Sequence, residues 1–450
     1  MKINITISEP QYTYGFARII LGYESSVKTE VSLNVDYRNL YKFTRCTSGV
    51  SFDLFVIGCL VYGIDILLPR QTKELDGWSR EFEVTFPVEN LNLFQSIKDS
   101  LEDTLNFLTG DLWNISFEER KLHTLYKKGK HQKVFKTEFK EKHKCVNLFS
   151  GGMDSLIGAI DQLESSSERV CLVSHTDSMF KGAKKDQDAI LQVIQKNYKH
   201  FHHIQTRVDM DKHDVYGSEY QKETTLRSRS FLFISMAVLV ADSISQEMPV
   251  FIPENGTISL NFPLTPSRRS SCSTRTTHPH FLSLMQSLLF SLGLKHKIVN
   301  KYQLCTKGEM IEKCKNRNLL LSIYALSCSC GKRGTRKDIR DDAHATHCGV
   351  CMPCIYRRAA LHKIYVEEHV GTDIFNSRKR DIMQIPDMPA LISYLQNDLT
   401  KEEIEMGLIE NGPLPLDKLG EFSDVVMRTR KELKLWIDDC APENIKKYFR

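Results

Sequence analysis

Apolar residues recur along this chain with two different periods. Strict alternation over Lys2–Ile7, Val31–Val35 and Arg80–Phe86 predicts half-buried strands, the last halted by Pro87. Continuous apolar runs at Cys145–Phe149, Val170–His175, Phe201–Val208 and Val250–Pro253 predict strands buried on both faces. The run Phe52–Ile64 predicts a buried helix that leads into a strand at Ile66–Pro69. Helical spacing marks Leu93–Leu108, Lys184–Asn197 and a long apolar segment opening at Thr224 and reaching Ala241. Three more helices are expected over Met388–Asn397, Lys401–Ile409 and Leu419–Ile437, with Asn411-Gly412-Pro413 breaking between them. Strands and helices alternate from Cys145 onward, which is the pattern of a parallel sheet in an α/β fold. The residues ahead of it read as a separate α/β module.

Composition changes this picture little. At 450 residues, with 41% apolar and 26% charged, the chain has room for about three domains. A net charge of +5 over that length does not by itself indicate nucleic acid. Tyr126–Lys144 is locally basic and reads first as a solvated linker, with steering of an anion or contact with RNA as alternatives. Met1–Ile7 alternates like a strand rather than a secretion signal, and Asp53 and Asp65 interrupt the apolar stretch Phe52–Leu68, so that it falls short of a membrane span. A cytoplasmic protein without a membrane contact is expected, in which the 13 cysteines do not form a disulfide framework.

The strongest local pattern is Phe149-Ser150-Gly151-Gly152-Met153-Asp154-Ser155, a buried strand turning sharply into a helix. The glycines let a ligand approach the backbone, and the exposed N–H groups with two serine hydroxyls form an anion site. Asp154 would repel a phosphate there unless a divalent cation lay between them. No Gly-Lys-Ser/Thr follows, which excludes a Walker loop. The pattern resembles the PP-loop of ATP pyrophosphatases, which grip the pyrophosphate end of ATP while a substrate oxygen attacks the α-phosphate. That resemblance implies ATP and Mg2+ as cofactors.

Other candidates lie at the ends of the expected strands, where parallel sheets bind ligands. His175, in Ser174–Ser178, is placed to face adenine or ribose. Arg227 and Arg229 open a helix whose dipole favours anions, and are assigned to charge developing at the α-phosphate. Glu254 and Asn255 suit the edge of a purine-like base, while Arg275 and His278, in the long polar loop that follows, suit a carboxylate or phosphate. Each also has a plain reading as a surface or loop residue.

Cys348-Gly-Val-Cys351-Met-Pro-Cys354 has the spacing to converge on one tetrahedral ion, with Cys328 or Cys330 as the fourth thiolate. A four-cysteine zinc site leaves no open position and would be structural. His344 and His347 are nearby substitutes.

A PP-loop followed by Cys-Gly-x-Cys-x-x-Cys-x-x-Arg-Arg resembles the QueC family, the 7-cyano-7-deazaguanine synthases, over about residues 145–365. The resemblance implies a Rossmann-like adenine-nucleotide alpha hydrolase sheet over 141–320 and a zinc module over 321–366. An N-terminal α/β module (1–140) and a helical tail (367–450) are added to these. It implies a carbon–nitrogen ligase that adenylates a 7-deazaguanine carboxylate and makes an amide or nitrile. Phe149, Ser150, Gly151, Gly152, Asp154, Ser155 and His175 would hold ATP, and the resemblance favours Cys328 as the fourth zinc ligand. The added segments, the loop Ser273–Pro279 and Ser228 after Arg227 depart from the short enzymes. They are similar to the QatC-type proteins of the Qat anti-phage defence system, which implies partner proteins and conjugation of the base to one of them. A tRNA-modifying PP-loop enzyme, with Cys171 or Cys272 as a thiolation cysteine, and a non-catalytic nucleotide-binding scaffold are the alternatives.

Overall fold

The computed structural model describes residues 2–13, 16–24, 28–70, 78–121, 125, 142–178, 182–265, 274–333, 340–378, 381–385 and 387–450. Most of the basic stretch from Tyr126, and Arg268, Arg269 and Cys272 of the polar loop, lie outside the described residues.

The strands are β1 (Lys2–Ile7), β2 (Gln11–Thr13), β3 (Phe16–Glu24), β4 (Lys28–Asp36), β5 (Glu81–Val88), β6 (Leu112–Glu119), β7 (His143–Leu148), β8 (Arg169–Thr176), β9 (Phe201–Met210), β10 (Val250–Phe251) and β11 (Ile298–Val299). All belong to one sheet, in the order β11-β10-β7-β8-β9-β4-β3-β1-β5-β6, with β2 attached to β3. The half from β11 to β9 is parallel throughout. β4 then joins β9 antiparallel, pairing Leu33 with Met210 and Val35 with Val208. The N-terminal region expected to stand apart therefore continues the same sheet.

The core follows that continuity. The helices Val50–Leu67 and Arg229–Ile244 pack against each other on one face of the sheet, in an apolar cluster drawn from both halves. Met153–Glu164, Ala183–Asn197 and Lys307–Glu312 supply the opposite face of the parallel half. The tail helices Met388–Gln396, Lys401–Asn411 and Leu419–Cys440 form a further cluster that takes in Leu260, Leu264 and Ile355.

Several expectations change at element ends. The apolar stretch from Phe52 lies in a helix, Val50–Leu67, that is long and apolar enough to cross a membrane by length and composition. Here it is a core helix, buried from Ser51 to Leu67. Its two carboxylates have partners inside: Asp53 pairs with Arg120 at 3.1 Å and accepts from the Glu89 N–H, and Asp65 accepts from Arg80, Arg70 and Ser228. Because Asp65 is anchored on its last turn, the helix runs through Ile66 and Leu67, where a strand was expected.

Pro87 does not stop β5, which continues to Val88. The carbonyls of Arg80 and Val88 accept from β6, so residues of even number face β6 and Pro87 faces the other way. On that side β1 pairs only as far as Val84, and the missing N–H costs no ladder bond. The helix expected over Leu93–Leu108 is two helices, Leu91–Ser96 and Lys98–Thr109, meeting at Ile97.

Candidate active site and cysteine cluster

The order β9-β8-β7-β10-β11 means that the chain winds outward from β7 to β9, then returns to β7's other side as β10. That reversal opens a crevice at the carboxyl ends of β7 and β10, the place where open α/β sheets bind ligands. The Ser-Gly-Gly turn leaves β7 at this point and enters the helix Met153–Glu164.

Gly151 sits at φ +87°, which a side chain rarely adopts, and a Cβ there would lie 3.1 Å from Gln187 Cγ. Gln187 supports the turn from below, donating to the carbonyls of Ser150 and His175. The turn's N–H groups point at hydroxyls. Gly151 donates to Ser155 Oγ at 3.1 Å, Gly152 to Ser150 Oγ at 3.3 Å and Met153 to Ser329 Oγ at 3.4 Å. These bonds are long enough to yield to a stronger acceptor, and a phosphate oxygen is one.

Asp154, in the first turn of that helix, accepts from the Asn255 side-chain amide and from the Lys307 ammonium, and Glu254 joins them after β10. Burial opposes ionisation of Asp154. The Lys307 charge and hydrogen bonds from Glu254, Lys307 and Asn255 outweigh it and hold the carboxyl below its usual range. Glu254 is pushed well above its usual range by burial, by the Asp154 charge and by the hydrogen bond to Asp154. The pair therefore shares one proton, and Lys307 balances the remaining negative charge. Two carboxyl groups beside an anion-binding turn are a donor set suited to a divalent cation.

Lys307 was not singled out in the sequence, yet a signal for it exists. Thr306-x-x-Glu309 is a capping box, with each side chain bonded to the other's backbone N–H, and it fixes Lys307 as the first residue of a helix. Asn255 is likewise an N-cap, accepting from Ile258 N–H, while its amide reaches Asp154.

The other candidates make protein contacts of their own. His175 is wholly buried, its Nε2 2.9 Å from the Val208 carbonyl and its ring edge-on to Tyr62 and Phe233. Burial and the Arg229 charge lower its pKa to about 3, so Nε2–H donates and the ring is neutral. Arg229 stacks over Phe233 beside it. Arg227, buried over Trp78, donates to the Thr109 carbonyl at 3.3 Å, and Arg275 donates to that of Phe107 at 3.1 Å. Both arginines thus meet the carbonyl end of the helix Lys98–Thr109. His278 caps the helix Pro279–Ser291, packs on Phe107 and is kept neutral, with a pKa of about 3, by burial and the Arg275 charge. Cys171, a candidate for thiolation chemistry, is buried in the core and its thiol is pushed up out of the reactive range.

The second cluster gathers Cys330, Cys348, Cys351 and Cys354, with all four Sγ atoms within 4.8 Å of one another, and it can hold a metal ion such as zinc. Gly349, at φ +82°, makes the tight turn between the ligands, where a side chain would collide with the Thr372 carbonyl. The fourth ligand is Cys330, correcting the preference for Cys328. Alternation along the segment decides this. Cys330 Sγ accepts the Cys348 N–H at 3.3 Å, whereas the backbone N–H of Cys328 donates to the Gly151 carbonyl at 3.0 Å. Cys328 and Ser329 thereby tie the cysteine module to the Ser-Gly-Gly turn. His347 takes no part in the cluster: its Nε2 accepts from Ser329 N–H.

No family model, curated protein or solved structure matches this chain.

Proposed function

We propose that the chain is a QueC-like, ATP-dependent and AMP-forming carbon–nitrogen ligase of the cytoplasm, acting on a 7-deazaguanine-type carboxylate in anti-phage defence. One observation carries the reading: Asp154, bonded to Asn255 and Lys307, lies at the reversal of the sheet beside a Ser-Gly-Gly turn.

In this reading the N–H groups of Gly151, Gly152 and Met153 exchange their hydroxyl partners for the pyrophosphate end of ATP, with Ser150 and Ser155 adding their own donors. Asp154 and Glu254 are the residues that would hold magnesium, which would shield the phosphate charges. Lys307 then exchanges Asp154 for a phosphate oxygen and stabilises the charge that develops as the substrate carboxylate attacks the α-phosphate. An amine displaces AMP from the acyl adenylate to form the amide, and the amine belongs to a partner protein of the same defence system. Zinc on the four thiolates is structural, holding Cys328 and Ser329 against the turn.

The test is release of pyrophosphate from ATP in the presence of 7-carboxy-7-deazaguanine. Asp154→Asn and Lys307→Met should each lower it about 10²-fold or more per folded molecule, with the folded fraction taken from the melting transition. Release that persists in both variants would overturn the reading. Intact-mass analysis of co-produced partner proteins tests conjugation separately.

A further inference from the structure

A cleft of about 400 Å³ lies between the ends of two helices, Met352–His362 and Leu419–Cys440, away from the Asp154 centre. Its wall carries Trp436 and Phe375, with the Arg358 guanidinium over both rings and bonded to Asp373. At its edge, His362 Nε2 lies 2.8 Å from Asp439 Oδ2, and His362 Nδ1 lies 3.5 Å from Cys440 Sγ. The carboxylate only accepts, so Nε2 carries the imidazole proton and Nδ1 is left to accept from the thiol. A nucleophile, a base in contact with it and an acid that fixes the base's tautomer are thus present together at a cavity.

The geometry points to a second reactive site, in which Cys440, His362 and Asp439 accept an acyl group from an activated ester or thioester. His362 stands at a helix carboxyl end, where the dipole favours the imidazolium that forms. The groups facing the thiol are His362, Arg358, Asp439, Glu367 and Asp373, and partial burial with this acidic surround keeps it protonated until the base acts. In the step itself, His362 Nδ1 takes the proton from Sγ as the S–C bond forms. The bond from carbon to the leaving oxygen or sulfur breaks, and the leaving group takes the proton from His362. Water then releases the acid and restores the thiol. None of this depends on the ATP chemistry above.

The experiment treats the full chain with 4-nitrophenyl acetate and maps acetylated peptides by mass spectrometry, with Cys46 and Cys305, both part-exposed, as internal controls. The expected result is a burst of nitrophenol with the acetyl group on Cys440, lost in Cys440→Ser. His362→Gln should slow acetylation of Cys440 about 10²-fold, the lower range of general-base effects, with Cys46 unchanged. Asp439→Asn should slow it less. Acetylation of Cys440 no faster than that of Cys46, or a Cys440 rate indifferent to His362→Gln, would overturn the proposal. The unchanged Cys46 rate reports that the variant is folded.

Discussion

Two buried ionic clusters sit under this sheet, and they differ in a way that separates scaffold from site. In the first, Asp65 and Asp111 face Arg70 and Arg80 in two nearly complete forks: Arg70 to Asp111 at 2.8 Å, Arg80 to Asp65 at 2.6 Å and to Asp111 at 2.8 Å. Charges cancel, and the spare acceptors are taken by the N–H and hydroxyl of Ser228. In the second, Asp154 and Glu254 have one lysine between them, and one carboxyl must keep its proton. Asp65, Asp111, Arg70 and Arg80 are buried, as are Asp154 and Lys307, while Glu254 is half-buried. A balanced network has nothing left to offer a ligand, whereas an unbalanced one at the mouth of a crevice gains by binding a cation.

The largest change is expected from the metal site beside the second cluster. Cys348→Ser, or stripping with a chelator, should remove on the order of 10 kcal/mol of local folding energy. It should also release the Cys328–Ser329 strap, seen as new hydrogen exchange over residues 327–354. Next, Arg80→Met strands two buried carboxylates and should cost about 3–5 kcal/mol in urea unfolding, with pyrophosphate release per folded molecule preserved. Lys307→Met also removes the cation of a buried pair, but unlike Arg80→Met it should lower pyrophosphate release per folded molecule, by about 10²–10³-fold.

Two smaller effects are visible only against pH. Glu254 has a folded pKa above its ordinary value of 4.5, so the native state binds more protons than the unfolded one, and stability is lost as the pH rises from about 4.5. Glu254→Gln should flatten that slope, and so should saturating magnesium, whereas manipulating the Asp65 cluster should not. Asp53, raised by burial to about 6, gives a weaker slope of the same sign between 3.8 and about 6, which Asp53→Asn should remove. Thermal melts across that range check both.

The chain's local patterns made much of this legible. Ser150–Ser155 is a strand-to-helix turn because apolar run, glycines and helical spacing follow one another within a few residues, and each is a local preference. Cys348, Cys351 and Cys354 converge because a turn of that spacing admits little else. Lys307 was equally readable as the first residue behind a capping box, but nothing local says which strand end it will reach. For Arg227, Arg275 and His278 the local pattern reaches only part of the way. A helix start or a polar loop shows that a side chain is near a sheet edge, and says nothing of the helix Lys98–Thr109 whose carbonyls Arg227 and Arg275 meet.

The sequence by itself determined the α/β alternation, the Ser-Gly-Gly turn and the cysteine triplet, because propensity, periodicity and short loops act over a few residues. Only the tertiary structure decided that β4 joins β9 into one sheet, that Cys330 rather than Cys328 completes the sulfur cluster, and that Glu254 and Lys307 meet at Asp154. The contacts of Asp154 with Asn255 and Lys307 lie 101 and 153 positions apart, and even Cys330 is fixed by its contact with Cys348, 18 positions on. No local pattern encodes such contacts.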